Sequence, residues 1–261
     1  MCHDHDSRPP APPRSGEVRE RGTLTLTSAD GTEFSAAYAA PAAPPRAGVI
    51  VLPDIRGLHP YYVALAERFA EAGLPAVAID WFGRTAGLAG ADDGTGTRGA
   101  DFDWKRHIPR TTEAGIDADI AAALDYLRGR TRPDLPVLTV GFCFGGSQSW
   151  RLSATDLDLA GVIGFYGRPV MVNDVIDRMH IPLLLQIAGA DAATPQEEFA
   201  EFERKLTAQG VEHDMKVYEG APHSFFDRSF AEWKDAGADS WRRILDFIAS
   251  HSGHSRVGTP A

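Results

Sequence analysis

Short runs of unbroken apolar character recur along this chain, in "AGVIVLPD", "LPAVAID", "LPVLTVGF", "LAGVIGFYG" and "IPLLLQIAG". Strands of that kind are buried on both faces, and parallel neighbours of that kind need a crossover helix between them. The intervening segments have helical periodicity: "PYYVALAERFAEAG", "EAGIDADIAAALDYLRG", "GGSQSWRLSA", "PQEEFAEFERKLTAQG" and "AEWKDAGADSWRRILDFIASH". Gly73 is placed to close the first of these helices. Upstream, two alternating segments flank the turn signal in "GTLTLTSADGTEFSAAYAAP", which predicts a β-hairpin. Downstream, "EHDMKVYEG" reads as a last strand. The pattern predicts an α/β fold, a mostly parallel central sheet with helices on both faces.

With 261 residues, 43% hydrophobic and 24% charged, the chain has the composition of one large globular domain, and no repeat or linker divides it. The predicted domain spans residues 21–251. The proline- and charge-rich residues 1–20 read as a disordered tail, and residues 252–261 as a loose C-terminal one. A net charge of -10 argues against nucleic acid or an anionic membrane as partner. No run approaches the roughly 20 apolar residues of a membrane span. Two cysteines cannot build a disulfide framework, and a reducing cytoplasm fits that usage. Cys2, His3 and His5 could bind a metal, but a tail without a second ligand cluster is read as no site. No cofactor is expected, and a monomer or small homo-oligomer would suit such a chain.

Open parallel sheets collect ligands beyond the C-terminal ends of their strands. Asp54, Asp80, Cys143, Asp191 and His223 each follow a predicted strand. Around Cys143 the sequence Gly141-Phe142-Cys143-Phe144-Gly145-Gly146 matches the strand-to-helix elbow G-x-S-x-G, with cysteine for serine. The glycines allow a strained turn packed against adjacent strands. The helix that follows points its positive end at the sulfur, which favours the thiolate, and offers the Phe144 N–H to an oxyanion. The order Cys143, Asp191, His223 is the nucleophile–acid–base order of α/β-hydrolases. His223 would exchange a proton with the sulfur, and Asp191 would orient the imidazole.

Each assignment has a plainer rival. A buried cysteine is often just a small hydrophobe. His59, His107, His180 and His213 compete with His223, and His59 could line the pocket. Asp54 and Asp80 compete with Asp191, which could instead cap the helix that begins near Pro195. Trp81, Phe82, Trp104, Phe144 and Tyr166 could wall an apolar pocket or simply fill the core. The long segment from Trp81 to Arg110 has the length of a loop that covers a site.

The motif G-x-C-x-G-G at Gly141 to Gly146, with "GADAATP", "YEGAPHSF" and "LPDIRGLHP", resembles the dienelactone hydrolase family over roughly Gly22 to Ser250. The resemblance implies a hydrolase of carboxylic esters or lactones with a Cys-His-Asp triad, a thioester intermediate and a small-molecule substrate. It also implies an auxiliary acid at Asp54, where the family has the longer glutamate, and a second oxyanion donor in the Ile55 N–H. Arg84 matches a family arginine that binds the lactone carboxylate, while Trp81 and His59 are expected substrate contacts from their own positions after buried strands. A second family arginine is replaced by Asp227, which implies a neutral or larger ester. An acyltransferase or cyclase using the same thioester is the alternative. A non-catalytic binding protein and a thiol-redox role fit less well, because the triad positions are filled and no resolving cysteine lies nearby in sequence.

Overall fold

The computed structural model describes residues 4–91 and 93–253. Its frame is one eight-stranded sheet built from β1 (Val18–Thr27), β2 (Glu33–Pro41), β3 (Gly48–Leu52), β4 (Ala76–Ile79), β5 (Val137–Phe142), β6 (Gly161–Phe165), β7 (Leu183–Ala188) and β8 (His213–Tyr218). Across the sheet the order is β1-β2-β4-β3-β5-β6-β7-β8. The hairpin β1–β2 is antiparallel, and β2 joins β4 antiparallel, while every later pairing is parallel. Gly31, at φ 81°, supplies the left-handed position that its turn needs.

The helices are α1 (Pro60–Glu71), a single turn α2 (Gly83–Ala86), α3 (Glu113–Arg130), α4 (Phe144–Arg151), α5 (Gln196–Ala208) and α6 (Lys234–His251). Side chains alternate across the sheet and divide the core in two. Ile50, Leu52, Leu183 and Leu185 pack with α3, α4 and α5 through Ile120, Leu127, Trp150 and Phe202. Val49, Val51, Leu138 and Leu184 pack with α1 and α6 through Tyr62, Leu65, Phe69, Trp241 and Ile244. These helices therefore cover both faces, as the apolar strands require.

One feature of the strand order places the site. The chain runs from β3 outward to β4, then returns across β3 to β5. That reversal leaves a crevice beyond the carboxyl ends of β3 and β5, where Leu52 pairs with Gly141. Cys143 and the segment beginning at Pro53 both emerge there.

Two expectations are corrected. Residues 4–17 are not a loose tail: Ser7 is fully buried, the Trp241 indole N–H donates to the Pro10 carbonyl at 3.1 Å, and the Gly16 N–H donates to the Glu71 carbonyl at 2.6 Å. Prolines hold this segment extended at low entropic cost, so composition alone misread it. Residues 1–3 and 254–261, with the metal reading at Cys2 and His3, lie outside the described residues. The second concerns the segment from Trp81 to Arg110, expected to cover the site: none of its described residues lines the cavity that holds Cys143. It is pinned to the domain, because the fully buried Asp80 carboxylate binds Arg98 at 2.7 Å and the Leu58 and Phe82 amides. Arg98 also lies over the Phe102 ring, which stacks on His107.

Candidate active site

Cys143 is the residue between β5 and α4, with φ 55° and ψ -112°. Its N–H donates to the Phe165 carbonyl at 3.0 Å, which anchors the turn to β6. A Cβ on Gly145 would overlap the Leu52 and Pro53 carbonyl oxygens, and one on Gly141 would overlap the Gly145 carbonyl. Glycine at both positions lets the start of α4 sit directly against the end of β3. As a result Phe144 and Ile55, on different segments, border one cavity. Neither backbone N–H is taken up by a hydrogen bond among the described residues.

That cavity measures about 550 Å³ and opens at the carboxyl edge of the sheet, with Cys143, Asp191 and His223 in its wall. Cys143 is partly exposed and is a free thiol. Asp191 follows β7, and His223 lies in the loop after β8. The His223 Nδ1 and Asp191 Oδ2 atoms are 2.6 Å apart. The other carboxylate oxygen of Asp191 accepts the Ala193 N–H at 2.8 Å. Burial pushes the Asp191 carboxyl up, but the hydrogen bond and charge of His223, the Ala193 amide and the Arg168 charge together hold it below its ordinary 3.8. Asp191 is therefore an anion that fixes the Nδ1 side of the His223 imidazole.

Backbone strain concentrates here. The three non-glycine residues with positive φ among those described are Cys143, Tyr166 at 37° and Ser224 at 66°. Tyr166 ends the β6 strand's exit and its ring packs on His223 at 4.7 Å between centroids. Ser224 follows His223 directly. Sequence reading had no signal for these two, because neither type advertises a left-handed backbone.

Other expected residues fall elsewhere. The Arg84 guanidinium is spent on Asp119, at 2.5 Å, and on Asp30, at 2.9 Å, and does not reach the cavity. It ties α2 to α3 and to the β1–β2 turn. Trp81 is a support: its indole N–H donates to the carbonyls of Pro53, at 3.2 Å, and Asp54, at 3.1 Å, and its ring meets Phe144 edge-on. His59 caps α1 by accepting the Tyr61 N–H at 3.2 Å, and is buried away from the cavity wall. Asp54 is fully buried behind Ile55, with its carboxylate bridged to Arg56 at 2.8 Å and holding the Arg56 N–H at 2.8 Å. Of the aromatic candidates, Phe144 lines the cavity. The lining that sequence reading missed comes from Ser147, Arg168 and Met171. The Arg168 N–H donates to the Ser147 hydroxyl at 2.8 Å, a contact between segments 21 residues apart that no local pattern announces.

A cysteine on a strand-to-helix elbow, a carboxylate-bound histidine facing the same cavity, and a parallel sheet wrapped on both faces define an α/β-hydrolase-fold protein. The family model described as "Dienelactone hydrolase family" matches residues 34–252, and the chain belongs to that family. It is accordingly an enzyme of the ester- and lactone-hydrolysing kind. A Salmonella typhi protein named "Putative carboxymethylenebutenolidase" is 27% identical over 88% of this chain and 87% of its own length. A Saccharolobus solfataricus protein of the same name is 27% identical over 84% of this chain and 95% of its own. Among solved structures, a Klebsiella pneumoniae protein called "Putative Dienelactone Hydrolase" superposes with a TM-score of 0.72 at 24% identity, covering 88% of this chain and 99% of that one. A dienelactone hydrolase-like promiscuous phosphotriesterase from metagenomic libraries reaches 0.66 at 21%, covering 85% and 98%. No described helix is long and apolar enough to cross a membrane.

Proposed function

We propose that this hydrolase cleaves a small carboxylic ester or lactone through a thioester on Cys143, with His223 as acid–base and Asp191 as its orienting partner. The observation that carries the reading is the 2.6 Å contact between Asp191 and His223 on the wall of the cavity that Cys143 enters from a strained turn. His223 takes the thiol proton as the sulfur attacks the carbonyl carbon, and the free N–H groups of Ile55 and Phe144 are suited to hold the resulting oxyanion. Collapse breaks the C–O bond, and His223 protonates the departing alkoxide. Water then attacks the thioester as His223 takes its proton, the C–S bond breaks as that proton returns to the sulfur, and the acid leaves. In a lactone the alcohol remains part of the product. The residues doing this work require no cofactor, and a free thiol nucleophile suits a reducing compartment such as the cytoplasm.

Arg168 supports an acidic substrate. Its side chain is exposed on the cavity wall and makes no ion pair among the described residues, whereas Arg56, Arg84 and Arg98 are all neutralised. The other lining is mostly apolar, through Ile55, Phe144, Met171 and Pro222. With Arg84 consumed elsewhere, Arg168 is the cation available to a carboxylate on the acyl or lactone group. The carboxymethylenebutenolidase names of the relatives agree with a carboxylate-bearing lactone. The sequence pointed instead to a neutral or larger ester, and the Arg168→Gln comparison below decides between the two.

The test is a panel of aryl esters and lactones run with the wild type, Cys143→Ala and His223→Ala, with intact-mass detection of an acyl-enzyme. Both variants are expected to lose turnover by about 10²-fold or more. Wild-type turnover in Cys143→Ala would overturn the assignment. Product analysis with added amine or alcohol decides between hydrolysis and acyl transfer. For Arg168→Gln, kcat/KM on a half-acid ester is expected to fall about 10-fold or more while its neutral methyl ester is unaffected. Equal effects on both esters would remove Arg168 from substrate recognition.

A further inference from the structure

Residues 4–16 cross the outside of the α1–α6 face and touch both loops that carry the proposed chemistry. At one end, His5 Nδ1 lies 3.2 Å from His59 Nε2, with the rings edge-on. His59 Nδ1 already accepts the Tyr61 N–H, so its Nε2 carries the proton and donates to His5. His59 closes the segment that begins at Asp54 and contains Ile55. Further along, the Arg8 carbonyl accepts the Arg228 N–H at 3.2 Å, and Arg228 lies five residues beyond His223 on the same loop. Ser7 is fully buried between these two contacts, and Pro9 and Pro12 are buried as well. Pro10 packs over Gly237 and receives the Trp241 indole. Within the domain, the Tyr61 hydroxyl donates to the Phe226 carbonyl and so already joins α1 to the histidine loop. The segment adds a brace from outside, between the 54–59 loop and the histidine loop.

We propose that residues 4–12 are a positioning strap that fixes the 54–59 and 222–230 loops relative to each other, so that the Ile55 N–H and the His223 imidazole address the same carbonyl group. The inference rests on the ester-cleaving reading of the site. Its physical basis is preorganisation. Pro9, Pro10, Pro12 and Pro13 fix φ near −65°, so little chain entropy is lost when the strap docks. A displacement of about 1 Å between reacting groups can cost up to 10²-fold in rate, so a brace outside the cavity can govern turnover. None of the strap residues lines the cavity, which predicts an effect on kcat and little on KM.

The experiment compares the full chain with a variant lacking residues 2–12 and with Ser7→Glu, which forces a carboxylate into a fully buried position and releases the strap in an otherwise intact protein. Amide hydrogen exchange is expected to quicken at 54–59 and 222–230 in both variants, with β5, β6 and β7 unchanged. On an aryl ester, kcat is expected to fall about tenfold or more with KM held within about twofold. A synthetic peptide of residues 1–16 should restore kcat to the truncated protein. Unchanged exchange in either loop, or faster exchange spread evenly across the sheet, would overturn the strap. A full chain without ester turnover would instead sink the functional reading, and the exchange comparison would still decide the strap.

Discussion

Cys143 holds a backbone conformation that costs of order 1–3 kcal/mol for a residue with a Cβ, and the surroundings enforce it. Its N–H is bound by Phe165 on one side, and Gly145 presses against the end of β3 on the other. The strain lifts the sulfur out of the sheet and toward the cavity. Asp191 works at the same scale by choosing the histidine tautomer. Asp191→Asn keeps the shape but offers an amide that also suits the wrong tautomer. We expect kcat to fall by about 10²–10⁴-fold with KM little changed, measured by steady-state kinetics at neutral pH. Wild-type kcat in that variant would reduce Asp191 to a loop-stabilising role.

At the scale of elements, the decisive feature is how paired charges divide structural work from chemistry. Arg84 joins α2, α3 and the hairpin turn by binding Asp119 and Asp30, and Asp119 is almost fully buried and also accepts from the Ser28 hydroxyl. Removing one partner of a buried pair leaves an uncompensated charge, which costs about 3–5 kcal/mol at full burial and less where, as here, the arginine is partly exposed. Arg84→Ala is therefore expected to lower stability by about 2 kcal/mol in urea denaturation, while KM for a carboxylate-bearing ester stays unchanged. A large rise in KM at intact stability would return Arg84 to the substrate site. The sequence motif could not distinguish the two roles, because the residue that consumes Arg84 lies 35 positions away on another helix.

For the molecule as a whole, the acidic balance sets the pH response. The Thr32 amide and Arg84 bring Asp30 down to about 2. The Thr95 amide lowers Asp93. At Asp191 and Asp239 burial pushes upward, but His223 and Arg243 respectively, with their other donors, outweigh it. In each case the unfolded chain takes up the proton first as pH falls. These groups therefore contribute stability that is present at neutral pH and lost as pH drops through their lowered values, below 3.8. Asp119 runs the other way, since burial holds it up. Thermal melts between about pH 7 and pH 3 should show the midpoint falling most steeply below about pH 4. A flat profile would mean that these carboxylates keep no native advantage.

The chain's local pattern carried the sheet, its helices and the three triad candidates, because apolar runs and the glycine-flanked elbow are short-range signals. Strand ends on one edge of a parallel sheet converge by topology, so Cys143, Asp191 and His223 could be gathered without coordinates. What the sequence could not settle was which charged groups remain available. Pairing across the fold took Arg84 and Arg98 into ion pairs, left Arg168 on the cavity wall, and drew a proline-rich segment onto the surface between α1 and α6. Those outcomes depend on distances between segments far apart in the chain, and only the tertiary structure fixes such distances.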